Sequence, residues 1–148
     1  EKIQSWFGVA VRAIVVLFGL LVLFLPWLHA NVDSPILWGL DALLSLQCHR
    51  IRDRTIILAG VPMAVCARCT GVYIGAVIGM TFARPRWHSL PLLAWVAVAL
   101  LIVISDVFFE WTPMGQLGQA LRLITGLLLA WPAAAAAARI LSLEEPSS

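Results

Sequence analysis

Charge is what this sequence has least of. Lys plus Arg number 10 and Asp plus Glu 8 in 148 residues, a 12% share where soluble domains carry about a quarter. With 61% hydrophobic residues and a mean hydropathy of +0.95, that scarcity excludes a soluble globule. The net charge of only +2, and the lack of any basic run interleaved with aromatics, set nucleic-acid binding aside. No repeat recurs at a fixed period, so one membrane domain over residues 1–148 is expected. Cysteine is also sparse: Cys48, Cys66 and Cys69 are the three, all within one short segment. Three thiols cannot all pair within a chain, and their clustering points to a shared site more than to packing.

Long apolar runs supply what charge does not. The first, 6–28, is bracketed by Trp6 and Trp27 and interrupted by Arg12, whose long stem allows it to snorkel to the interface. It is too long for the core of a signal peptide and reads as a retained span. Further spans are expected over 63–82, 92–109 and 119–138, with a disordered tail over 142–148. Between the first two spans, Ser34-Pro35 opens a shorter apolar helix, 35–47, with Asp41 and Ser45 on its wetter side. At thirteen residues it is too short to cross. The expected architecture is all-α and polytopic, with four transmembrane helices plus this interfacial or re-entrant helix.

Four crossings place both termini on one side and gather the polar residues on the other. Cys48 to Arg54, Cys66 to Thr70, Asp106, Glu110 and Arg122 all fall at that working face. Lys and Arg divide equally between the faces, so the positive-inside rule is tied. Arginines retained at the working face for function would leave the remaining charges favouring cytoplasmic termini in a cell membrane.

The densest stretch is Cys66-Ala67-Arg68-Cys69-Thr70-Gly71-Val72-Tyr73-Ile74-Gly75, with Gly79 one turn on. At 100° per residue Cys66, Cys69, Tyr73 and Val77 share one face, and Gly71, Gly75 and Gly79 the opposite one. Glycines so spaced let a helix partner, from this chain or from a second copy in a homo-oligomer, approach closely. The cysteine face is left for chemistry.

Ser45-Leu46-Gln47-Cys48-His49, Arg54-Thr55, and Val65 through Gly75 resemble the signature of an uncharacterised family of small prokaryotic integral membrane proteins, domain of unknown function 2085. Asp106 and Leu121-Arg122-Leu123-Ile124-Thr125-Gly126 resemble its second block, so the likeness runs from about Ser45 to Gly126. Gly118-Gln119 and Val107 stand where the family often has asparagines and glycine. The resemblance implies a site and names no activity.

The residues themselves admit three chemistries. Cys48, Cys66, Cys69 and His49 make a Cys3His set suited to zinc, with Asp106 as an alternative fourth ligand because adjacent Cys48 and His49 strain to reach one ion. Alternatively, Cys66 is an attacking thiol activated by the helix N-terminus and Arg68, with Cys69 resolving and Cys48 relaying. Finally, Arg54, Arg68 and Arg122 can hold an anionic lipid or phosphate group.

Overall fold

The computed structural model describes residues 2–48, 54–58, 60–82, 89–110 and 118–143, and the side chains of 6–48, 54–58, 60–82, 94–105, 108 and 118–141. Five helices lie among them: α1 (Lys2–Asn31), α2 (Pro35–Ser45), α3 (Ala67–Phe82), α4 (Ser89–Glu110) and α5 (Gln119–Leu143). Two stretches, Trp6–Asn31 and Gln119–Leu141, are long and apolar enough by themselves to cross a membrane. Pro35–Ser45, Ala67–Phe82 and Ala94–Ser105 are apolar but shorter. The expected span 92–109 falls inside α4, and Ser142 and Leu143 of the expected disordered tail continue α5.

A short hairpin precedes α3, where a continuous span from residue 63 was expected. Ile57–Leu58 (β1) pairs antiparallel with Val61–Pro62 (β2), turning at Gly60 with φ 78°. A side chain is disfavoured in that left-handed region, and glycine is not. The Met63 amide extends the ladder by donating to the Ile56 carbonyl at 2.9 Å, so it is not free to start a helix. The chain then bends at Ala64 and Val65, with Met63, Ala64 and Val65 buried in the core, and α3 begins only after Cys66.

Glycine sets how the helices meet. α3 packs most extensively against α5, with Gly71, Gly75 and Gly79 beside the Leu123, Leu127 and Trp131 carbonyls in turn. The two helices therefore run parallel. A Cβ on Gly75 would lie 2.7 Å from the Leu127 oxygen, so the backbones leave no room for a side chain. Of the two helix partners expected for this face, the one from the same chain, α5, lies against it. α1 runs the other way: Gly8 lies against Leu141 and Gly19 against Tyr73 and Val77. Arg12 donates to the Ala138 carbonyl, tying α1 to α5 where snorkelling was expected. A guanidinium next to an available carbonyl satisfies its donors without extending to the interface.

α2 begins at Pro35 as expected but departs from expectation at its end and on one face. Ser34 holds the N-cap position with extended backbone but makes no side-chain cap, and regular helix stops at Ser45, followed by a turn. Leu37, Leu40 and Leu44 face Val22, Leu25 and Val65 in the core. Asp41 lies on the inner side, lining a cavity, and the outward face carries exposed Ile36, Trp38 and Leu43. Apolar residues thus cover both the inside and the outside, the distribution expected where lipid rather than water surrounds the helices.

Candidate metal centre

Three separate backbone events bring the cysteines together. Cys48 follows the turn after α2, its amide donating to the Leu44 carbonyl at 3.2 Å, and its side chain is buried. Cys66 ends the non-helical link between the hairpin and α3. Cys69 lies one turn later in α3, on the same side of the helix start. The three sulfurs all lie within 4.8 Å of one another. All are free thiols, Cys48 buried and Cys66 and Cys69 half-exposed.

The local hydrogen bonds fix this arrangement. The Cys66 amide donates to Cys48 Sγ at 3.2 Å, joining α2 to the start of α3. Thr70 closes the first turn twice, with its amide (2.9 Å) and its hydroxyl (3.1 Å) both directed at the Cys66 carbonyl. The same hydroxyl lies 3.5 Å from Met63 Sδ. Tyr73, one turn beyond Cys69, donates its hydroxyl to Gln47 Oε1 at 2.9 Å and holds the residue just before Cys48. Its ring packs edge-on to Phe18 of α1, with centroids 6.0 Å apart. Val22, Leu25, Leu44 and Val65 complete an apolar shell around the sulfurs.

The donor set fits a thiophilic metal. Zinc–sulfur bonds of ~2.3 Å place tetrahedral ligand sulfurs about 3.8 Å apart, so the trio needs to contract by no more than about 1 Å. The dipole at the start of α3 also favours negative charge on the sulfurs. Among the described residues, no further histidine, cysteine or carboxylate joins the cluster. Both candidates for a fourth ligand escape description: His49 lies outside the described residues, and Asp106 sits on α4 with its side chain outside them.

Of the three arginines expected to bind an anion, Arg122 is buried and Arg54 and Arg68 are half-buried. They belong to the same end of the molecule. The Arg68 carbonyl abuts Gly126, one turn beyond Arg122, and Gln119 Nε2 donates at 3.4 Å to the carbonyl of Thr55, next to Arg54. Each already has an interaction partner within the chain.

Residues 48–135 match the family described as "Predicted membrane protein (DUF2085)". The chain belongs to this family. The matched region opens on Cys48 and includes the other two cysteines, the glycine stripe and Arg122. An uncharacterized protein of Methanocaldococcus jannaschii is 31% identical over 93 residues, covering 60% of this chain and 60% of that protein. One from Methanothermobacter thermautotrophicus is 36% identical over 85 residues, 54% of this chain and 74% of its own length. The chain thus spans under two thirds of the first relative. No solved structure matches it.

Sequence reasoning found the cysteines and their face but missed Gln47, Thr70 and Met63 as their supports. Gln47 and Thr70 lie inside the motif, yet nothing in their type announces which partner they meet.

Proposed function

We propose that this is a four-crossing membrane protein that binds a metal of the zinc type through Cys48, Cys66 and Cys69 at one membrane face. The observation that carries the reading is the convergence of three free sulfurs from separate segments to within 4.8 Å. His49 or Asp106 supplies the fourth ligand. Such a site would stabilise the junction of α2, the hairpin and α3, because ligands that are scattered in the unfolded chain convert metal affinity into folding free energy. The course of α1 opposite to the parallel α3 and α5 supports four crossings; both termini then lie on the side away from the cysteines, which we assign to the cytoplasm. Arg54, Arg68 and Arg122 add an anion site at the same face.

A second reading, thiol–disulfide exchange, is favoured by the half-exposure of Cys66 and Cys69 at a helix start beside buried Cys48. Metal analysis combined with thiol counting on gently purified protein separates the two. Stoichiometric zinc with three protected thiols is expected. A Cys66–Cys69 disulfide without metal would transfer the site to redox chemistry.

A further inference from the structure

The three sulfurs of the centre are not equivalent toward an oxidant. Cys48 is only 7% exposed, packed with Val22, Leu25, Leu44 and Val65, and its Sγ accepts the Cys66 amide. Cys66 and Cys69 are half-exposed. Cys66 immediately precedes α3 and Cys69 is the third residue of that helix, so both ride on one short piece of backbone. Side chains three apart on a helix hold their Cβ atoms ~5–6 Å apart, and a disulfide needs about 3.8 Å, a closure that the first turn can supply by itself. A bond from either of them to Cys48 would instead pull on the end of α2, which Leu37, Leu40 and Leu44 anchor in the core.

We propose that the centre is a redox switch, in which an oxidant of the peroxide class joins Cys66 to Cys69 and releases the metal, while Cys48 stays a thiol ready for reloading. The inference rests on the metal reading and gives that same site its regulation. The Cys66 thiolate attacks one peroxide oxygen, forming an S–O bond as the O–O bond breaks and hydroxide leaves. The Cys69 thiolate then attacks the Cys66 sulfur, so that the S–S bond forms, the S–O bond breaks and a second hydroxide leaves. The two sulfurs together lose two electrons and the peroxide gains them. Cys48 is then the one thiolate left of three, and a zinc site that loses two of its thiolates loses its hold on the ion. The contacts that shape the site lie outside this exchange. The Cys66 amide on Cys48 Sγ, the Tyr73 hydroxyl on Gln47 and the Thr70 closure on the Cys66 carbonyl use neither the Cys66 nor the Cys69 sulfur. Reduction therefore returns both thiolates to a site that is still formed.

The test uses the full chain in detergent, reduced, zinc-loaded and freed of excess zinc, and titrated with hydrogen peroxide while a chromogenic chelator reports free zinc. One zinc is expected to appear for every two thiols lost. Peptide mapping should then find a Cys66–Cys69 disulfide, with Cys48 alkylated by iodoacetamide once the protein is denatured. Reduction by a phosphine, followed by zinc, should restore full occupancy without a refolding step. A protein that takes up no zinc before oxidation would fail the metal reading and this inference with it. With zinc bound at the start, the inference alone is overturned if zinc stays in place after the disulfide forms, if the first disulfide contains Cys48, or if the reduced protein does not take zinc back.

Discussion

Cys48, Cys66 and Cys69 are held by different means, and this makes their equivalence testable. If they share one ion, Cys48→Ser, Cys66→Ser and Cys69→Ser should each abolish bound metal in purified protein. Retention of full metal by any one of the three variants would remove that residue from the site. Tyr73 offers a finer probe, because its hydroxyl reaches Gln47 and not the sulfurs. Tyr73→Phe is expected to leave metal stoichiometry intact and weaken affinity by roughly tenfold, the low end for a lost outer-shell partner. Chelator competition measures it, and an unchanged affinity would reduce Tyr73 to packing. The cysteine face was legible because 100° spacing follows from the helix alone. The Tyr73–Gln47 bond was not, since it joins residues 26 apart and no local periodicity encodes such a contact.

Between elements, the decisive contact is the close approach of α3 to α5. Gly75→Leu should destabilise the protein by more than the ~1–3 kcal/mol of ordinary overpacking, because backbone rather than a side chain must move. Thermal unfolding of the detergent-solubilised variant tests this, and a wild-type transition would count against the packing. α4 and α5 raise a second question: in the sequence Asp106 and Arg122 lie equally far from Met114, so an antiparallel pair of helices turning there would bring them to similar depth, and we expect them to pair. Asp106→Asn should then destabilise, and adding Arg122→Gln should recover part of the loss. Strict additivity of the two losses would exclude the pairing. Element identity was legible wherever an apolar run was long, as in α1 and α5. The hairpin was not, because two-residue strands leave no alternation to read, and Gly60-Val61-Pro62 signals a turn without saying what pairs across it.

For the whole molecule, the antiparallel course of α1 against α5 brings the start of one beside the end of the other. Reporter fusions at the two termini should therefore respond identically to a membrane-impermeant reagent. Opposite responses would require an odd number of crossings. The short α3 has a further consequence within the four-crossing arrangement. Its 16 residues rise about 24 Å, against a hydrocarbon layer of ~30 Å, whereas Trp6–Asn31 reaches about 39 Å. The lipid around α3 must thin, or headgroups and water must dip inward, at a cost of fractions of a kcal/mol for each ångström of mismatch. In the proposed arrangement the cysteines would then stand in a dimple of the bilayer surface, and the thickness of the host membrane would become a variable that their chemistry feels.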